Sequence, residues 1–73
     1  MFYATSDENF ERYSNQYNAN QVGRSNAFAQ ASDIHEALAA EGFEQMEVAD
    51  DLKRLGAYSV WMKGWSVQIV FEV

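Results

Sequence analysis

The 73-residue chain has no cysteine, no proline, a single histidine, and five basic residues against eleven acidic ones. Without cysteine there are no disulfides, iron–sulfur clusters or thiolate metal sites. One histidine is too few for a histidine-based zinc centre, so neither a metal nor another cofactor is expected. Without proline, nothing stiffens the loops. No run approaches the ~20 apolar residues of a membrane-spanning helix. The opening Met-Phe-Tyr-Ala-Thr lacks the basic start and apolar stretch of a secretory signal. Together these absences point to a reducing, cytoplasmic setting. Met1 and the composition of both ends lead us to expect a whole small gene product.

What is present suggests one domain, residues 1–73, with 48% hydrophobic residues. A chain this short buries only ~60% of the surface its unfolded form exposes, so it has to rely on packing or on oligomerisation. Eleven aromatic residues supply burial well beyond the usual for this size. Charge is concentrated: Asp33, Glu36, Glu41, Glu44, Glu47, Asp50 and Asp51 follow one another with no Lys or Arg until Lys53. The net charge is −6. Such a field repels nucleic-acid phosphates and anionic lipid and attracts basic protein surfaces.

Element signals define an α+β chain. Residues 2–5 are strand-like. Thr5 and Glu8 match the capping-box pattern, and Phe10, Tyr13 and Tyr17 recur on one face, which predicts a helix over about 7–17. Residues 18–25 form a polar, Asn-rich loop. Residues 27–31 fit a strand, or the start of a helix that runs on. Ser32 is an N-cap candidate for a helix over 33–41, with Gly42 just beyond its end. Apolar residues at 43, 46, 49, 52 and 55 predict a further helix over 44–55, with a strand over 43–49 as the alternative. At the C-terminus, 57–63 and 65–73 read as a β-hairpin turning at Lys63-Gly64. The expected architecture is a small antiparallel sheet containing this hairpin, which the N-terminal strand is placed to complete, packed under two or three helices.

In that register Met62 faces Trp65, Val60 faces Val67 and Tyr58 faces Ile69, with Phe71 continuing the core face. Trp61 falls on the other face, with Ser59, Ser66, Gln68 and Lys63. Left open to solvent, Trp61 would be an interface anchor, because Trp is enriched at binding hot spots; covered by a helix, it would be core. Tyr17, beside the polar loop, is a candidate of the same kind.

No catalytic set emerges. Ser32, His35 and Asp33 or Glu36 can be assembled into a triad only on paper, with no nucleophile elbow to accompany them. Asp50 and Asp51 point ~100° apart on a helix and would not readily share a metal or a proton. The glycines are too dispersed for a phosphate loop. An aromatic-bearing sheet could stack bases, yet the basic residues are few and scattered and the field is negative, so no direct nucleic-acid binding is expected. An enzyme is not expected either. The candidate protein-binding residues are Trp61, Lys63, Tyr17, Glu47, Asp50 and Asp51.

In general character the whole chain resembles the small acidic phage-encoded host-takeover proteins, including inhibitors of bacterial RNA polymerase and of CRISPR complexes. The resemblance contains no motif, so no residue role is taken from it. It implies a regulator that occupies a surface of a host nucleic-acid machine, RNA polymerase first. A nucleic-acid mimic is the alternative mechanism. The alternative class is a homo-oligomeric assembly protein pairing through an exposed strand Trp65–Val73. The expected state is monomer or homodimer, with no membrane association.

Overall fold

The computed structural model describes residues 1–8 and 27–72. Four strands, β1 (Phe2–Ser6), β2 (Glu44–Met46), β3 (Ala57–Lys63) and β4 (Ser66–Glu72), form one sheet in the order β1-β4-β3-β2. Every neighbouring pair is antiparallel. Two helices among the described residues, α1 (Ala31–Ala40) and α2 (Asp50–Arg54), complete an α+β architecture. Asp7 and Glu8 are helical. The rest of the helix expected over 7–17, the polar loop and Tyr17 lie outside the described residues.

β4 sits at the centre because it has apolar side chains for both faces. Ile69, Val70 and Phe71 are consecutive and all buried. Neighbours in a strand point to opposite sides, so three in a row require cover above and below. On one face Phe2, Val70 and Trp61 pack with Ile34 and Leu38 of α1 and with Phe43. On the other, Val60, Ile69 and Phe71 pack with Val48 and with Leu52 of α2. β1 pairs along the length of β4, Phe2 with Glu72 through Ser6 with Gln68, so the N-terminal strand completes the sheet. The central position of β4 also corrects one expectation. Both of its edges are paired within the chain, so Trp65–Val73 is not an exposed edge for a second copy.

α1 begins at Ala31, two residues earlier than expected, and Ser32 lies inside it; Gln30 takes the N-cap place without a side-chain cap. Phe28 makes a single antiparallel bridge to Phe2, so 27–31 is part bridge and part helix start. The C-terminal end of α1 follows the sequence closely. Gly42 has φ 95°, its N–H donates to the Ala39 carbonyl, and the Phe43 N–H donates to the Leu38 carbonyl. This is the Schellman arrangement, and Phe43 and Leu38 supply its hydrophobic contact. A side chain at Gly42 would meet the Lys63 Cδ at 3.4 Å and force an L-residue into a left-handed conformation. Gly42→Ala is therefore expected to cost about 1–2 kcal/mol, read as a Tm lowered by several degrees. An unchanged Tm would refute that account of the turn.

The single helix expected over 44–55 is not formed. Residues 44–46 are β2 and only Asp50–Arg54 are helical. The Schellman turn drives Phe43 into the core, and strand alternation then turns Glu44 away from it. β3 has an outer edge whose backbone groups need partners, and β2 supplies them through Glu44–Met62, Gln45–Trp61 and Met46–Val60 pairs. Tertiary pairing thus outweighs a three-residue apolar spacing with weak local propensity. The short α2 keeps the expected charge pattern, Asp50 and Asp51 first, Lys53 and Arg54 last, and ends at Gly56 with φ 93°.

The hairpin forms with a different turn. Lys63 pairs with Ser66, so the two loop residues are Gly64 and Trp65. Gly64 has φ 58°, and among the described residues no non-glycine has positive φ. That combination fits a type II′ turn, which places Gly first, and not the type I′ turn, which needs positive φ twice. The two-residue shift leaves Val60, Met62, Val67, Ile69 and Phe71 on their expected face, because side-chain direction repeats every two residues. Two aromatics change environment. Trp65 moves to the tip and is exposed. Tyr58 is the extra residue of a β-bulge between Ala57 and Ser59, and it lies exposed on the α1 side with its ring against Phe2 at 5.1 Å.

Candidate functional site

Trp61 is not the exposed anchor. Its face is the one covered by α1, and the side chain is 6% exposed. Its indole N–H donates to the Ser59 Oγ at 3.0 Å, and the same Oγ lies 2.8 Å from His35 Nε2. His35 stacks obliquely over Trp61 and Tyr58, with ring centroids 5.1 and 5.7 Å away. With the imidazole neutral, Trp61 donates to Ser59, Ser59 donates to Nε2, and each buried polar group is satisfied. The histidine thus meets Ser59 on β3 in place of its helix neighbour Ser32. A serine hydroxyl on an imidazole is the first half of a nucleophile pair. Here Ser59 is 1% exposed and its oxygen already accepts from Trp61, so no substrate reaches it. The trio ties α1 to the sheet.

Burial lowers the His35 pKa from its ordinary 6.5, because the charged ring loses hydration. Protonation at Nε2 would also turn an acceptor into a second donor toward Ser59. The sign follows from linkage. The unfolded chain takes up this proton at higher pH than the folded one, so the stabilisation is complete above pH 6.5 and declines as pH falls below it toward the folded pKa. His35 is the only imidazole in the chain. Thermal melts are expected to show Tm falling between pH 7.5 and 5.5, and His35→Gln should flatten that decline. A wild-type Tm constant across the window would contradict the coupling.

The solvent side of the molecule presents a different set. Trp65 is 100% exposed at the hairpin tip. A type II′ turn requires Gly first but sets no demand for an aromatic second. The turn therefore accounts for Gly64 and leaves the tryptophan unexplained by folding. Beside the tip, the Lys63 ammonium donates to the Glu41 carbonyl at 3.0 Å and lies 5.3 Å from the Phe43 ring centroid. It satisfies an end carbonyl of α1 and complements the helix dipole. Lys63, a sequence candidate for partner contact, is thus engaged within the fold while remaining exposed. The same contact holds the hairpin tip beside the end of α1 and the start of β2.

From that end an acidic margin runs along β2 into α2. Glu44, Glu47, Asp50 and Asp51 are all exposed, with Met46 and Leu55 each over two-fifths exposed among them. The Asp51 carboxylate accepts the Leu52 N–H at 3.0 Å, a local bond on an exposed turn. Of the residues expected to contact a partner, Glu47, Asp50 and Asp51 are open to solvent. Trp65, and not Trp61, is the tryptophan open to solvent. A Gly-X pair between strand-like runs was the signal that would have placed the turn correctly. An open groove of about 310 Å³ between α1 and the β1–β4 side has apolar walls, with Glu41 and Gln68 its polar members. It holds no nucleophile and base together. Among the described residues no cluster of His, Cys, Asp or Glu is arranged to hold a metal, and no helix is long and apolar enough to cross a membrane.

Compared with known protein families, with curated proteins and with solved structures, the chain matches none. The class its fold defines is a small α+β chain with an antiparallel four-stranded sheet.

Proposed function

We propose that this chain is a small acidic protein-binding regulator that acts by occupying a surface of a larger partner. The observation that carries the reading is Trp65, wholly exposed on a two-residue turn held in place by the hairpin and by Lys63. An indole offers roughly 200 Å² of apolar surface, and at ~25 cal/mol per Å² its burial has an upper bound of ~5 kcal/mol. Alanine substitutions at such anchors commonly cost about 2–4 kcal/mol. The partner surface proposed is a basic one, because a chain of net charge −6 with an acidic margin is attracted to positive charge and repelled by acidic surfaces.

Proteins that bind nucleic acid present basic surfaces. The general resemblance to phage host-takeover proteins makes bacterial RNA polymerase the first such machine to test. An indole anchor beside the carboxylates supports a wedge in preference to a nucleic-acid mimic, whose affinity would rest on charge alone. The test is capture from bacterial lysate by the tagged chain and by Trp65→Ala, at low and moderate salt, read by mass spectrometry. Recovery of RNA polymerase or another nucleic-acid machine that persists at moderate salt and is lost with Trp65→Ala is expected. Recovery indifferent to Trp65 but steeply lost with salt would instead indicate the mimic. Recovery of nothing would remove the regulator reading.

A further inference from the structure

The two edges of the sheet differ. β1 is met on its outer side by Phe28, with the Phe2 N–H donating to the Phe28 carbonyl at 2.8 Å and the Phe28 N–H donating back at 3.0 Å. β2, at the other edge, pairs only with β3, and among the described residues nothing pairs with its outer side. Its three residues are all exposed. Proteins commonly protect an open edge with proline, an inward lysine or a bulge. β2 has no proline or lysine, and its pairing with β3 runs without a register shift. Glu44 and Met46 lie on the α2 side of the sheet, since their partners Met62 and Val60 do, and Gln45 lies on the other with Trp61.

We propose that β2 is a strand-addition site for an extended basic segment of the partner protein. The inference rests on the reading of the chain as a protein-binding module. An added strand gains main-chain hydrogen bonds from the free edge, while its alternate side chains meet Glu44 and Met46 on one face. A lysine or arginine is matched to Glu44 and an apolar residue to Met46. Glu47, Asp50 and Asp51, all exposed just beyond β2, extend the attraction to further basic residues. A second copy of the chain fits this edge poorly. Two β2 strands paired about Gln45 would set Glu44 diagonally across from its own copy, in the approach of two chains each of charge −6. Charge therefore selects a basic strand over self-pairing.

The test is titration of the isotope-labelled full chain with three synthetic ten-residue peptides, followed by amide shifts and hydrogen exchange. The first peptide alternates Lys with Thr and Val, the second carries Pro at the Thr and Val positions, and the third carries Glu for Lys. The first is expected to shift the Glu44–Met46 amides saturably and slow their exchange. The double variant Glu44→Lys with Glu47→Lys, both exposed positions, should weaken it by about tenfold or more. Equal binding by the proline peptide would reduce the effect to unspecific charge attraction and overturn the proposal. Shifts confined to other residues, or protection of β2 that grows with protein concentration in the absence of peptide, would also overturn it. Partner capture separates this inference from the broader reading: capture lost with Trp65→Ala but unaffected by the β2 double variant would leave the regulator standing and remove strand addition.

Discussion

Trp61→Ala is expected to lower the unfolding free energy by about 3–5 kcal/mol, the usual cost of emptying a large buried aromatic site. Trp61 lies in the cluster that joins Ile34 and Leu38 of α1 to Phe2, Phe43 and Val70. Its loss opens a cavity at the centre of that contact and removes the indole N–H from Ser59. A domain of this size has only about 5–10 kcal/mol of stability, and each kcal/mol moves Tm by roughly 4–8 °C. The variant should therefore melt more than about 15 °C below the parent or fail to fold cooperatively. Trp61→Phe fills most of the volume and lacks the N–H, so its smaller loss separates the packing contribution from the hydrogen bond. A Tm within a few degrees of the parent for Trp61→Ala would show that α1 does not rest on this side chain.

Trp65→Ala should have the opposite profile. A side chain that is 100% exposed makes no folding contact to lose, so Tm should hold within a few degrees. Binding to the captured partner should weaken by about 2 kcal/mol or more, roughly thirtyfold. Fluorescence distinguishes the two indoles independently. In Trp61→Phe the remaining emission comes from Trp65 and should be fully open to a soluble quencher, whereas in Trp65→Phe the remaining emission should be shielded. Unchanged affinity in Trp65→Ala would eliminate the hairpin tip as the anchor. A large fall in Tm would place Trp65 in a folding role that its exposure contradicts.

Much of the scaffold could be read from residue pattern. The N-terminal strand, the helix ending at Gly42, the C-terminal hairpin and the core-facing set Val60, Met62, Val67, Ile69 and Phe71 all followed from local periodicity and turn chemistry. The departures have separate causes. Residues 43–55 carry an apolar residue at every third position, which resembles a helix locally, yet the open edge of β3 recruits 44–46 as a strand. Tyr58 departs from its expected face because a bulge inserts one residue, and bulges follow from sheet twist and packing more than from composition. The sequence left Trp61 open between exposed anchor and helix-covered core, and α1 decides for the core. Moving the turn by one residue, from Lys63-Gly64 to Gly64-Trp65, shifts the cross-strand register by two; it exchanges a tip residue for a strand residue and leaves side-chain parity intact.

The sequence by itself determined the charge field, the absence of cysteine chemistry, the punctuation by Gly42, Gly56 and Gly64, and which residues of β3 and β4 share a face. These depend on composition and on neighbours within a few positions along the chain. Only the tertiary structure decided that α1 covers Trp61, that His35 meets Ser59 across 24 residues, that β4 lies inside the sheet, and that among the described residues nothing pairs with the outer side of β2. Each of these depends on which distant segment satisfies a buried face or an unpaired backbone edge. That competition is settled by the total surface and hydrogen bonds the whole chain can bury, and no local window contains it.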